Sequence, residues 1–167
     1  VEARRALADV VYLSSMVENL HQATRLRHEF DVTSGRVELS DLVRRLERRF
    51  AIVGRHAGVE VAANTPEEEV WVACTHALAE RALANLVQNA VEHNTEPGHV
   101  AIRLSLLDSG RRFELRVEDD GPGLPEETLA SLQSETFLVD DARPRGPEMG
   151  MLITTEVARR AGWSMSY

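Results

Sequence analysis

Two asparagines in the stretch ERALANLVQNAVEHN are placed where they could bind a metal ion or a phosphate. Asn85 and Asn89 are four residues apart, so on a helix they share one face. A carboxamide oxygen can ligate a hard cation such as Mg²⁺, and its NH₂ group can donate to a phosphate oxygen. Two solvent-exposed asparagines would be the simpler interpretation, but the apolar neighbours Leu86, Val87 and Ala90 leave little of this helix facing solvent. The pattern therefore favours a polar binding face on a largely buried helix.

A second chemical signal is the acidic glycine run VEDDGPGLPEE, residues 117–127. It follows an alternating apolar pattern typical of a strand, so Asp119 is expected at the strand end. Gly121 and Gly123 allow backbone conformations that are closed to other residues, and Pro122 stiffens the turn. A carboxylate here could accept a hydrogen bond from an amino group such as the exocyclic amine of adenine, while the other acids remain in solvent. The same residues would also make an ordinary acidic turn.

The third signal is a pair of glycines, Gly146 and Gly150, at the start of a predicted helix over 149–161. The N-terminus of a helix offers unpaired N–H groups and a partial positive charge, which suit a phosphate. A glycine pair before a helix is common, so this motif carries weight only beside the other two.

Hydrophobic periodicity and turn residues predict the elements that must position these groups. In chain order they are a helix over 1–30, a helix capped by Ser40, strands over 59–63 and 69–74, a helix from Thr75 to His93 or Asn94, strands over 99–107 and 112–118, and the helix over 149–161. Residues 125–145 are expected to be irregular, and 163–167 to begin a further strand. Helices and strands alternate without strict βαβ order, which indicates an α+β two-layer α/β sandwich preceded by a long coiled-coil-like helix.

The apolar residues of segment 1–30 recur at alternating spacings of three and four, the heptad pattern of a helix that docks on another helix. We expect this helix to pair with another helix or with a second copy of the chain. An amphipathic helix packed on its own domain is the alternative.

The composition is typical of one globular domain with a core, since 43% of the 167 residues are hydrophobic and 28% are charged. A formal net charge of −8 argues against nucleic acid as a partner, because no basic surplus exists to neutralise phosphates. No apolar run approaches the roughly 20 residues of a membrane span. The single cysteine, Cys74, cannot form an internal disulfide. We therefore expect a cytoplasmic location and leave membrane attachment of a parent protein open.

Taken together, the runs NLVQNAVEHN, DDGPGLP and GPEMGM resemble the N box and the two glycine boxes of the nucleotide-binding domain of sensor histidine kinases. That domain belongs to the wider superfamily of gyrase, Hsp90 and MutL ATPases. The resemblance implies an ATP-binding catalytic domain with a Bergerat-type fold over 35–167, truncated before its terminal strands. Segment 1–34 is similar to the second helix, with its linker, of the family's dimerisation and phosphoacceptor hairpin, which implies a homodimer in the parent protein.

The resemblance implies a phosphate and metal end of the site. Asn89 matches the asparagine that joins Mg²⁺ to the triphosphate, and Asn85 matches the neighbouring position near the phosphates. Gly146 and Gly150 match the second glycine box at the end of a segment that closes on the phosphates. The chain departs from the pattern at Glu148, where the family usually has a third glycine.

The resemblance also implies an adenine end. Asp119 matches the carboxylate that reads adenine, while Gly121 and Gly123 shape the pocket. Leu124 would be an apolar contact. His93 matches a position that often holds an aromatic residue beside the adenine.

The implied function is binding of ATP with Mg²⁺ and transfer of the γ-phosphoryl to a histidine, with a response-regulator receiver domain as downstream partner. Asn85 stands where the ATP-hydrolysing relatives usually have a glutamate base, which favours transfer over hydrolysis. The residues after His21 and His28 do not fit the family's phosphoacceptor motif, so the acceptor histidine is expected upstream of Val1. A degenerate scaffold module, suggested by Glu148 and Glu92, and an anti-sigma-type serine kinase are the alternatives.

Overall fold

The computed structural model describes residues 32–133 and 147–167, and the predicted helix over 1–30 lies outside this part of the chain. The strands are β1 (Arg36–Glu38), β2 (Val59–Asn64), β3 (Trp71–Ala73), β4 (Gly98–Leu107) and β5 (Arg112–Asp119). The helices are α1 (Leu39–His56), α2 (His76–Glu92), α3 (Glu126–Gln133) and α4 (Pro147–Arg160).

The central sheet has the order β2–β4–β5, with β2 parallel to β4 and β4 antiparallel to β5. The β4–β5 pair confirms the predicted hairpin. Side chains alternate along β4, where Val100, Ile102 and Leu104 are buried on one face. The opposite face is charged and carries the ion pair between Arg103 and Glu118. Because only one face is apolar, the helices cover that face and leave the other in solvent.

Helices α1 and α2 pack on the apolar face of the sheet, and α4 packs against α2. Their apolar side chains join those of β4 in one hydrophobic core; the buried ones include Leu42, Val43, Leu46 and Phe50 of α1, Leu83 and Val87 of α2, and Ile153 and Val157 of α4. Burying one such large apolar side chain contributes roughly 1.5–3 kcal/mol to folding. The two-layer α/β sandwich predicted from the sequence is therefore confirmed.

The N-terminal cap of α1 differs from the prediction. Ser40 lies inside the first turn, 1% exposed, and its hydroxyl oxygen has no hydrogen-bond partner in the described part of the chain. Glu38 caps the helix instead, accepting from the backbone N–H groups of Ser40 at 2.9 Å and Asp41 at 2.6 Å. The same carboxylate accepts from the N–H of Val70 at 3.0 Å. Burial raises the pKa of Glu38, but these backbone donors outweigh it and bring the pKa below its usual value.

The predicted strands over 59–63 and 69–74 are both present but belong to different sheets. Strand β2 joins the central sheet, whereas β3 pairs antiparallel with β1 in a separate two-stranded sheet. Strand β1 was not predicted, because its three residues are too short to show an alternating pattern.

The last part of the chain contains one confirmed prediction and two corrections. As predicted, helix α4 stops before Gly162: its last residue is Arg160, and the φ of +73° at Gly162 is in the left-handed region that glycine favours. Residues 126–133, expected to be irregular, form α3. Residues 163–167 form no strand in the described structure. Trp163 instead packs edge-to-face on Phe113 of β5, with ring centroids 5.5 Å apart.

Candidate functional site

Helix α2 carries both asparagines on one face, as its spacing predicted. Asn85 is buried, with 6% of its surface exposed, and Asn89 one turn later is half-buried. The Asn85 side-chain nitrogen Nδ2 donates to the carbonyl oxygen of Gly150 on α4 at 3.1 Å. No hydrogen bond joins the Asn89 carboxamide to another described residue. The two asparagines therefore differ, because the Asn85 carboxamide is bonded to a second helix and the Asn89 carboxamide is not bonded within the described residues.

Helices α2 and α4 run antiparallel, which follows from two contacts between them. Gly150 of α4 lies beside Asn85 of α2. Thr154 is one turn later on α4, and its hydroxyl is 3.1 Å from the carbonyl oxygen of Ala82, which is one turn earlier on α2. The first turn of α4 consequently comes level with Asn89. The N–H groups of that turn, which have no partner within the helix, thus lie toward the same end of α2 as the Asn89 carboxamide.

The acidic glycine loop begins where the sequence predicted, at the end of β5. Asp119 accepts a hydrogen bond from the N–H of Gly121 at 2.9 Å through Oδ1. Gly121 packs so closely that an added Cβ would lie 3.0 Å from the carbonyl oxygen of His93 and 2.8 Å from the same Asp119 oxygen. The absence of a side chain at Gly121 therefore lets the loop approach the C-terminal end of α2.

Gly123 serves a different purpose from Gly121. Its φ is +75°, a conformation that costs other residues roughly 1–2 kcal/mol, and an added Cβ would meet nothing within 4 Å. It is required for the shape of the loop and not for close packing. Leu124 follows with 41% of its surface exposed, and His93 is exposed where α2 ends.

A hydrogen-bond network that the sequence did not reveal ties this loop to the start of β4. Asn94 donates through Nδ2 to the carbonyl oxygen of His99 at 3.1 Å, and the N–H of His99 donates to Asp120 Oδ1 at 2.7 Å. Asp120 is exposed, as expected, but its bond to the His99 backbone was not predicted. The bond from the His99 backbone is the main reason that the pKa of Asp120 is lowered, and the Asn94 side chain acts in the same direction.

Thr154 was also missed, although a signal for it exists. It is a hydroxyl side chain four residues after Gly150, in a helix whose buried positions are otherwise mostly apolar, such as Met151, Ile153 and Val157. Gly146 and the side chain of Glu148 lie outside the described residues. Within residues 32–133 and 147–167, no group of three or more His, Cys, Asp or Glu side chains is arranged to hold a metal ion. The helices described there include none long and apolar enough to cross a membrane.

Residues 75–167, more than half of the chain, match the family described as histidine kinase-, DNA gyrase B- and HSP90-like ATPase. The chain belongs to this ATPase family. The match begins at the N-terminal cap of α2 and contains every residue assigned above to the site. This ATPase domain thus has its asparagine face, its acidic glycine loop and the first turn of α4 within the matched region.

Individual relatives of this ATPase domain are sensor kinases. The signal transduction histidine-protein kinase AfsQ2 of Streptomyces coelicolor is 29% identical over 161 residues, which are 95% of this chain and 28% of AfsQ2. The curated relatives are longer proteins, of which the chain spans 18% to 38%. The chain corresponds to the ATP-binding catalytic module of these sensor kinases.

Solved structures share the fold. Full-length ShkA in complex with AMPPNP superimposes with a TM-score of 0.71 at 21% identity, covering 97% of this chain and 35% of ShkA. The histidine kinase ThkA in complex with the response regulator TrrA gives a TM-score of 0.57 at 23% identity, covering 72% of this chain and 35% of ThkA. The architecture around α2 is therefore that of histidine kinase catalytic domains.

Proposed function

We propose that this chain binds ATP with Mg²⁺ and acts as the catalytic domain of a two-component sensor histidine kinase, transferring the γ-phosphoryl to a histidine outside this chain. One observation carries the proposal. Three motifs that are far apart in the sequence meet around the C-terminal half of α2: Asn89, the loop that begins at Asp119, and the first turn of α4 before Gly150.

The loop after β5 suits the adenine of the nucleotide. Only Oδ1 of Asp119 is used by the Gly121 N–H, so Oδ2 can accept a hydrogen bond from an exocyclic amine. A hydrogen bond to a charged acceptor contributes about 1.5–3 kcal/mol, enough to distinguish adenine from bases that lack a donor there. The exposed side chain of Leu124 offers an apolar surface beside it.

The side of the site formed by Asn89 and the first turn of α4 suits the phosphates and a magnesium ion. Asn89 is half-buried and its carboxamide oxygen is available, which fits a cation that prefers oxygen ligands. Mg²⁺ commonly takes one or two protein oxygens together with phosphate oxygens and water, so the lack of a carboxylate cluster in the described residues agrees with a nucleotide-bound ion. When bound, the ion neutralises charge on the phosphates.

The residues at this site favour phosphoryl transfer over hydrolysis. An asparagine cannot act as a base toward water, and Nδ2 of Asn85 is already bonded to Gly150. In the proposed step, a histidine nitrogen bonds to the γ-phosphorus as the bond to the β,γ-bridging oxygen breaks and ADP leaves. Catalysis then rests on holding the nucleotide in line with the histidine.

The remaining parts of the proposal concern the parent protein. The acceptor histidine is proposed to lie upstream of Val1, and the helix over 1–30 to form a homodimer. A response-regulator receiver domain is the proposed recipient of the phosphoryl group, supported by the complex of the related ThkA with TrrA.

Nucleotide binding is tested by titrating the chain with Mg²⁺-AMPPNP in a calorimeter. The native chain should bind, and Asn89→Ala should weaken binding about tenfold or more when Mg²⁺ is present. Gln88→Ala is a matched control, because Gln88 is the adjacent carboxamide on α2 and is bonded to Glu92. Absence of any binding by the native chain would rule out the proposal.

Phosphoryl transfer is tested by adding labelled ATP and a parent fragment that contains the upstream helix. Acid-labile label on that fragment indicates phosphohistidine and supports the kinase. Acid-stable label would indicate the serine kinase instead, and nucleotide binding with no transfer would indicate a scaffold module.

A further inference from the structure

The interface between α2 and α4 contains two buried polar side chains that converge on one carbonyl. Asn85 Nδ2 lies 3.1 Å and the Thr154 hydroxyl 3.0 Å from the carbonyl oxygen of Gly150. Thr154 is only 5% exposed. Burying such groups costs free energy unless each finds a partner, so their pairing with the same atom shows an organised contact. We call Asn85, Gly150 and Thr154 the α2–α4 clamp.

The clamp can make two hydrogen bonds between the helices. The Thr154 hydroxyl has a single proton, which it can donate to Gly150 within α4 or to the Ala82 carbonyl oxygen of α2 at 3.1 Å. When the Thr154 hydroxyl donates to Ala82, the two helices are joined by this hydrogen bond and by the one from Asn85 to Gly150. The two bonds are about one turn apart, so together they fix both the position of α4 along α2 and the distance between the two helices.

Gly150 makes the close approach of the helices possible. A Cβ at this position would lie 3.2 Å from Cγ of Asn85, tighter than an ordinary carbon contact. The distance between the helix backbones is therefore set by the Asn85 side chain itself. A change at Asn85 or Thr154 should let α4 shift relative to α2.

Such a shift would alter one end of the proposed site and leave the other unchanged. The first turn of α4 lies level with Asn89, so its N–H groups would move relative to the phosphates. The loop at Asp119 is held separately, by Gly121 and by the contact with the end of α2. Adenine recognition should therefore not depend on the clamp.

We propose that Asn85 and Thr154 are positioning residues that set the affinity for the triphosphate by holding the first turn of α4 beside Asn89. This inference rests on the proposed function, and it gives Asn85 an indirect role in place of direct contact with the nucleotide. Thr154 is the residue that best tests this positioning role, because it lies one turn further from Asn89 than Gly150 does.

The test compares two probes, Mg²⁺-AMPPNP and adenosine, on the native chain and on Thr154→Val. Valine has nearly the same shape as threonine but lacks the hydroxyl. AMPPNP affinity should fall about fivefold, the value of one neutral hydrogen bond, while adenosine affinity stays within about twofold. Thr154→Ser retains the hydroxyl and should restore most of the AMPPNP affinity.

A purely structural role predicts a different result. Thermal unfolding would then shift while both affinities stayed the same or fell together, and either result would overturn the inference. Thr154→Ala replaces the valine variant if the latter does not fold, since it removes the hydroxyl without adding bulk. If the native chain binds neither probe, the proposed function fails first. If it binds both and the serine and valine variants behave alike, only the clamp is wrong.

Discussion

The two ends of the proposed nucleotide site are built in opposite ways. At the adenine end, the side chains are exposed; the bond from Gly121 to Asp119 joins residues two positions apart, and the bond from His99 to Asp120 spans 21 positions. At the phosphate end, the clamp is buried and its partners are distant, since Asn85 and Gly150 are 65 positions apart. The first arrangement is an exposed loop at the end of a strand, and the second exists only when two helices are packed.

This difference indicates how each end should respond to change. An exposed loop can lose its chemistry without loss of the surrounding fold. A buried interface couples chemistry to helix packing, because any change at one side chain is passed to the other helix. Variants at the two ends should therefore separate adenine recognition from triphosphate recognition.

The largest effect should come from removing the carboxylate at the adenine end. Asp119→Ala should weaken adenosine and Mg²⁺-AMPPNP alike, by about tenfold to a hundredfold, because a hydrogen bond to a charged acceptor is lost. Calorimetric titration with both probes measures this. Glu118→Ala is the control, since it removes an equal charge from the adjacent residue, which pairs with Arg103 on the solvent face of the sheet. Equal losses in the two variants would mean that only net charge matters.

Substitutions at the two loop glycines, Gly121 and Gly123, should have different effects within the adenine end. Gly121→Ala should reduce the affinity for both probes several-fold, because the new Cβ would push the loop from the end of α2. Gly123→Ala should lower the free energy of unfolding by about 1–2 kcal/mol through its backbone conformation, with less effect on affinity. Urea unfolding measures the change in stability and titration measures the change in affinity, so the two methods together distinguish the two variants. The reverse order of affinity losses would contradict the packing role of Gly121.

A smaller effect is expected for Gly150→Ala at the phosphate end. Alanine favours the helix by up to about 1 kcal/mol, which offsets the tight contact with Asn85, so stability should change little. AMPPNP affinity should nonetheless fall a few-fold, and adenosine affinity should not. Thermal melts and titrations on one preparation of the variant measure its stability and its affinity for each probe. An unchanged AMPPNP affinity would show that the distance between α2 and α4 is not critical.

The smallest effect is a pH dependence at Asp120. Its pKa in the folded chain is below the ordinary 3.8, so its contribution to stability is complete above that value. The contribution is lost as the pH falls through the lower folded pKa. The His99 amide resonance, followed by NMR from neutral pH to about pH 2.5, should shift in this acid range. Asp120→Asn keeps an acceptor oxygen but cannot ionise, and should remove the shift; its persistence would assign the titration to another group.

Features with short-range causes were predictable from the sequence. The β4–β5 hairpin follows from alternation and an intervening turn, and Asp119 therefore lies at a strand end. Helix α4 stops where Gly162 can adopt a positive φ, with the N–H of Trp163 bonded to the Ala158 carbonyl at 2.8 Å. Each of these depends on residues within a few positions of one another.

Features with distant partners were not predictable. Ser40 is a preferred capping type, yet Glu38 caps α1, and its carboxylate also accepts from the N–H of Val70, 32 residues away. The pairing of β3 with β1 likewise joins residues that are distant in the sequence. No local pattern contains information about which distant backbone group will be nearby.

The sequence by itself determined the chemical groups of this protein and the faces on which they lie. Helical spacing put Asn85 and Asn89 together, and strand alternation put Asp119 at an end of the sheet. Only the tertiary structure decided which of these groups is free. Asn85 is bonded to Gly150 and Asp120 to His99, whereas the Asn89 carboxamide makes no hydrogen bond to another residue in the part of the chain that the structure describes. The physical reason is that periodicity fixes the direction of a side chain, but packing supplies the neighbour that it meets.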